Sequence, residues 1–192
     1  MLNNKPFNGD DNITKEFQKL VNTYGIKTII ETGTYEADTT FELLNMVPNV
    51  YSIEVNKSYY DKVQNNLTNE QKKSVNFILG SSPESIKKII TSNVKMPILF
   101  FLDAHWYDFN PLIDELKVIA EMNIDDCVIA IHDFKVPNKD FGFDKFPDGK
   151  DYCWENIKEY IQNIYGENFV FYYNEIASGA YRGIIYICPL KT

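Results

Sequence analysis

Ile13, Phe17, Leu20, Val21 and Tyr24 recur at the spacing of one helical face, and Gly25 stops that helix. A short β-branched run follows, Lys27 to Glu31, and ends in Thr32-Gly33-Thr34. Asp38 or Thr39 then opens an apolar helix through Leu43, Leu44 and Val47, which Pro48 ends. The alternation repeats in kind: Val50 to Glu54 predicts a strand, Ser58 to Leu67 a helix, Val75 to Leu79 a strand and Ser85 to Ile90 a helix. Pro97 to Asp103 carries an unbroken apolar run, Ile98 to Leu102, the pattern of a strand buried on both faces. Helical spacing returns from Pro111 to Met122, and Cys127 to Ile131 is a second buried-strand pattern.

Strands alternating with helices of this length imply right-handed βαβ crossovers and a parallel sheet covered on both sides. The expected fold is therefore α/β, a Rossmann-like, doubly wound, mostly parallel sheet of seven strands. The end of the chain breaks the rule. After a helix from Tyr152 to Tyr165, the strands Phe169 to Tyr173 and Ile184 to Cys188 flank only the turn-rich stretch Asn174 to Gly183. A parallel pair needs a longer crossover, so the C-terminal strand must be antiparallel. Residues 135–151 form the one long irregular segment, read either as a substrate-side flap or as a surface excursion.

The 192 residues, 44% of them hydrophobic and 15% aromatic, suffice for one substantial core, so residues 1–192 are expected to form a single domain with 1–25 as an N-terminal helical region. Nineteen basic against 27 acidic side chains leave a net charge of −8, which argues against nucleic acid or an anionic membrane as partner. Cys127, Cys153 and Cys188 form no CxxC pair, as expected of reduced thiols in a cytoplasmic protein. Met1 to Asn12 is polar and resembles neither a secretory signal nor a transit peptide. No apolar run approaches the roughly 20 residues that span a bilayer.

In an open parallel sheet, ligands bind beyond the carboxyl ends of the strands, where the strand order reverses. The first strand ends in Glu31-Thr32-Gly33-Thr34-Tyr35, and Gly33 permits a tight turn close to a ligand. The helix that follows offers unpaired amides to an anionic group such as a carboxylate. The second strand ends in Glu54, near the roughly 20-residue spacing at which an acidic side chain accepts the hydroxyls of a ribose. A dinucleotide-binding turn would prefer glycine where Tyr35 and Asp38 stand.

These residues resemble the motifs of the class I methyltransferases, in particular their catechol-type small-molecule O-methyltransferase branch. Its E-x-G-x-Y-x-G-x-S motif is matched by Glu31, Gly33, Tyr35, Ala37 and Thr39; its I-E-x-N by Ile53, Glu54 and Asn56. Its G-x-S is matched by Gly80 and Ser82, and its Asp-His-Trp by Asp103, His105 and Trp106 with Ala104 as one extra residue. The resemblance runs in order from about Lys27 to Asp133 and implies S-adenosylmethionine as cofactor. It implies Gly33, Tyr35 and Thr39 around the methionine part, with Thr39 on its carboxylate and Glu31 near its amino group. Glu54 would hold the ribose, Ser81, Ser82 and Pro83 would face the adenine, and Asp103, His105 and Trp106 would lie where adenosine, methyl group and substrate meet. In that branch a divalent ion is held by the Asp after strand four and an Asp-Asn pair after strand five.

The only histidines, His105 and His132, each follow a predicted core strand. Asp103, His132 and Asp133 are thus candidate ligands for Mg²⁺, Mn²⁺ or a transition metal, although the pair reads His132-Asp133 where the branch has Asp-Asn. Without a metal, His105 or His132, with Asp133 beside it, could accept the proton of a hydroxyl directly. The branch's lysine after the His-Trp pair is replaced by Tyr107. Trp106, Trp154, Phe109, Phe141, Phe143 and Phe146 either wall an acceptor pocket or belong to the core. Arg182, the only arginine, either grips an acidic substrate group or pairs with a surface carboxylate. The expected activity is methyl transfer to an oxygen of a small-molecule or carbohydrate acceptor, with a homodimer the protein partnership considered. A nucleotide-binding oxidoreductase and a non-catalytic cofactor-binding protein are the rival readings.

Overall fold

The computed structural model describes residues 5–105 and 110–190. Among them, seven strands form one sheet in the order β3-β2-β1-β4-β5-β7-β6. The strands β1 (Thr28–Thr32), β2 (Asn49–Glu54), β3 (Asn76–Leu79), β4 (Ile98–Leu102) and β5 (Cys127–His132) pair in parallel. The last strand, β7 (Ile184–Pro189), inserts between β5 and β6 (Phe169–Tyr173) and runs antiparallel to both. The expected doubly wound sheet with its antiparallel C-terminal strand is the fold observed.

The unbroken apolar runs divide between two cores because successive side chains of a strand point to opposite faces. Ile98, Phe100 and Leu102 pack with Ile30 and Ile129 against α5 (Ser82–Thr91), α6 (Leu112–Glu121) and α7 (Trp154–Tyr165). Leu99 and Phe101 pack with Ile29 and Val128 against α1 (Asp11–Tyr24) and α2 (Asp38–Met46). Gly25 ends α1 in the left-handed conformation, at φ 66°.

Two elements depart from the sequence reading. Between α3 (Lys57–Asn66) and β3 lies a short helix, α4 (Asn69–Ser74), entered through a capping box in which Thr68 and Gln71 bond each other's backbone amides. The polar start contains a 3-10 turn, Pro6–Gly9, whose Phe7 is buried edge-on against Phe17 and Phe101 at 5.2 and 5.6 Å between ring centres. One apolar residue in a polar stretch has no periodicity to reveal it.

The sheet order reverses between β1, which leads outward through β2 and β3, and β4, which leads the other way. Gly33, Glu54, Gly80, Asp103 and Asp133 all lie just beyond or at the carboxyl ends of the parallel strands. No helix among the described residues is long and apolar enough to cross a membrane.

Candidate active site

The turn after β1 is built by backbone that few side chains permit. Gly33 sits at φ +92°, and a Cβ there would stand 3.0 Å from the carbonyl oxygen of Asp103 on the adjoining loop. Any other residue would be strained and would push the β1 and β4 ends apart. Tyr35 and Ala37 are also left-handed, at φ 48° and 67°, which carries the chain round to the start of α2. This geometry aims the Tyr35 N–H at Glu54, whose Oε2 accepts it at 3.0 Å. The other oxygen, Oε1, accepts the Asn56 N–H at 2.8 Å. Two main-chain donors thus fix a carboxylate that is 7% exposed, leaving its remaining lone pairs for a ligand.

That carboxylate lines a cavity of about 330 Å³, within the range of small-molecule sites. Gly33, Tyr35, Thr39, Glu54, Ser82, Asp103, His105 and Asp133 line it, together with Lys5 and Asn8 from the N-terminal turn. Ser82 Oγ is buried at the cavity wall, beside the buried Glu115 carboxyl. Thr39 Oγ1 accepts the Phe7 N–H at 2.9 Å and keeps its own proton to donate. Ser81 is the residue that precedes α5 and does not line the cavity. Trp106 and Phe109 lie outside the described residues.

Glu31 is placed differently from what the resemblance implies. It is buried beneath the turn, off the cavity wall, because β1 is covered along its whole length. Its Oε2 accepts the hydroxyls of Ser52 and Thr40 at 2.6 and 2.5 Å. Burial pushes its carboxyl up to about 8, against the two hydroxyls that favour the charged form. Glu31 therefore supports the turn from below.

A charged network closes the far side of the cavity. The buried His132 imidazole points Nδ1 at Asp103 Oδ1, 3.0 Å away, and at Asp133 Oδ1, 3.4 Å away. His105 points Nε2 at Asp144 Oδ2, 2.7 Å away, and at Asp133 Oδ2, 3.2 Å away. Arg182 bridges the same two acids, Nε to Asp133 and Nη2 to Asp144. Burial opposes charge on both imidazoles, but the facing carboxylates outweigh it: His105 is raised, and His132 lies well above its usual range. Asp133 is held well below the ordinary carboxylate range, its burial overcome by His132, Arg182 and His105.

Atoms of Asp103, His105 and Asp133 come within 4.8 Å of one another, the spacing of a cation site. The donor set does not fit one as it stands. His105 Nε2, flanked by Asp133 and Asp144, carries a proton and has no lone pair for a metal, which leaves Nδ1 as that ring's open donor, and the Asp133 carboxylate is already paired with Arg182. His132, taken from the sequence as a ligand beside Asp103 and Asp133, lies off the cavity wall and spends its facing nitrogen on those two carboxylates. Sequence reasoning missed Asp144, which comes from the long 135–151 segment and is recognisable only by its tertiary partners.

No protein-family profile matches the chain, and no curated protein sequence matches it. Solved structures do. TomG, an O-methyltransferase of Streptomyces achromogenes involved in tomaymycin synthesis and solved with S-adenosylmethionine, is 13% identical, with a TM-score of 0.65 over 94% of this chain and 80% of that one. An O-methyltransferase from Bacillus cereus, in complex with S-adenosylhomocysteine, is 17% identical, with a TM-score of 0.63 over 93% and 81%. An rRNA methylase from Streptococcus thermophilus is 12% identical, with a TM-score of 0.55 over 92% and 95%. The chain has the class I methyltransferase fold. Within that methyltransferase fold the neighbours' acceptors range from a small molecule to RNA, so the fold by itself names no acceptor.

The aromatics distribute accordingly. Trp154 stacks on Phe171 at 4.0 Å, Phe146 packs tilted against Tyr152 at 4.6 Å, and Phe141 meets Tyr181 edge-on at 5.1 Å. None of Trp154, Phe141, Phe143 and Phe146 lines the cavity.

Proposed function

We propose that this chain is an S-adenosylmethionine-dependent methyltransferase that methylates a hydroxyl oxygen of a small molecule, sugar or glycan. The observation that carries this reading is Glu54, a carboxylate pinned by two backbone amides in the wall of a cavity at the sheet's switch point. Such a group accepts both hydroxyls of a ribose without having to reorganise. Asp38 and Asp103, two further acids of the wall, suit a ligand carrying a sulfonium charge. The Ser82 hydroxyl in the wall supplies a polar contact for the adenine side.

In the reaction, the acceptor oxygen forms its bond to the methyl carbon as the carbon–sulfur bond breaks, and the electron pair of that bond leaves on sulfur. The hydroxyl proton must go to a base. His105 is that base: with Nε2–H directed at Asp144, the neutral ring keeps its lone pair on Nδ1. Asp144 fixes the tautomer, and Asp133 and His132 hold the surrounding charges in place. The rest of the acceleration comes from alignment of acceptor, methyl and sulfur.

Calorimetry with S-adenosylmethionine, S-adenosylhomocysteine and NAD tests the cofactor; the first two bind and NAD does not. Glu54→Ala lowers affinity for both by about 10- to 100-fold, the worth of about one hydrogen bond to a charged group. Unchanged affinity would remove the ribose assignment. Mass-detected methyl transfer to a hydroxyl library tests the chemistry; binding without transfer to any hydroxyl would leave a cofactor-binding protein.

A further inference from the structure

The Asp133 carboxylate stands at the end of β5, where the branch this sequence resembles places a ligand to its divalent ion. Here that carboxylate is already engaged. Arg182, from the turn between β6 and β7, reaches it with Nε and reaches Asp144 with Nη2. The arginine is itself boxed in: a Cβ on Gly142 would come within 2.8 Å of its Nη1, so the 135–151 segment passes directly over the guanidinium. The backbone confirms the packing, since the Gly142 N–H donates to the Tyr181 carbonyl and the Gly183 N–H to the Gly142 carbonyl, both at 2.9 Å.

We propose that Arg182 is the resident cation of this site, holding Asp133 and Asp144 in place of a divalent metal ion. Three carboxylates, Asp103, Asp133 and Asp144, face one guanidinium and two imidazoles. A planar fork with a permanent charge satisfies two acids at once, and cannot be titrated away. An incoming ion would have to displace the guanidinium from Asp133 and the His105 N–H from the same carboxylate. Arg182 is a positioning residue: through Asp144 it sets the orientation of His105. The inference concerns metal occupancy and holds whether or not the chain transfers methyl groups.

Manganese titration, read by the loss of the free-ion electron paramagnetic resonance signal, tests it without any turnover. The wild-type chain shows no saturable binding up to about 1 mM, the weak end of protein sites for divalent ions. Arg182→Gln, which removes the charge and leaves three acids facing each other, gains saturable binding at least about tenfold tighter than wild type. Arg182→Lys keeps a cation there and stays without manganese, which separates charge from folding. Stoichiometric binding by the wild type that Asp103→Asn abolishes would overturn the proposal, and so would a folded Arg182→Gln that binds no better than wild type. Should Arg182→Gln fail to show a cooperative melt, the wild-type and Arg182→Lys titrations decide: manganese on either refutes the inference, and none on both supports it.

Discussion

Burial sets the ionisation of Glu31 and, with it, part of the stability of the fold. Its carboxyl is pushed from 4.5 up to about 8, and Glu115, buried on α6, is pushed up to about 7 by the same cause. Both hold a proton in the folded state that the unfolded chain releases near 4.5. Below that pH the two states bind the same protons and the contribution is fully present. As pH rises toward about 8 the unfolded state ionises first, so the free energy of unfolding falls. The slope is at most about 1.4 kcal/mol per pH unit for each group. Glu31→Gln, which cannot ionise, removes its share of that slope; urea melts of both proteins between about pH 5 and 8 measure it. Parallel slopes would mean that Glu31 is charged in the folded protein.

The N-terminal turn is the element whose role is largest for its length. Phe7 fills a slot between α1 and β4, its own N–H holds Thr39, and Lys5 and Asn8 on either side of it form one wall of the cavity. The Ala180 N–H donates to the Asn8 carbonyl at 3.1 Å, so the turn is also tied to the loop before β7. Phe7→Ala is expected to cost about 3–5 kcal/mol of stability, as for other buried aromatics. It also weakens S-adenosylmethionine binding, because the wall loses its anchor. Thermal melts and calorimetry at a temperature where the variant remains folded separate the two effects. A destabilised variant with wild-type affinity would show that the turn serves the core alone.

Across the whole molecule, the 135–151 segment is stitched to the sheet and to the final hairpin. The Asp144 N–H donates to the Asp133 carbonyl at 2.8 Å, the Tyr152 N–H to Asp144 at 2.9 Å and the Phe134 N–H to Gly183 at 2.9 Å. Val136 and Phe141 form a small core of their own with Ala177. A segment so bonded is expected to stay fixed rather than to open as a flap on each turnover. Hydrogen exchange is therefore expected to be slow at Gly142, Asp144 and Tyr152, approaching that of β5. Exchange as fast as in an unprotected loop would restore the flap reading.

The periodicity of apolar residues, with run length and the flanking Gly and Pro deciding the unbroken runs, determined the order and type of nearly every element, because these signals are local to each segment. The same locality made Gly33 and Glu54 legible: one is required by a turn a few residues long, the other by its place at a strand end. The cavity's closing side was decided only in three dimensions. Arg182 lies far along the chain from Asp133 and Asp144, yet meets both. Of the two histidines that looked alike beyond their strands, His105 reaches the cavity while His132 is buried behind Asp103. Glu31 looked like a ligand contact until the covered face of β1 placed it under the turn. Pairings of this kind depend on which side chains the packed sheet brings within a few ångströms, and no spacing along the chain encodes that distance.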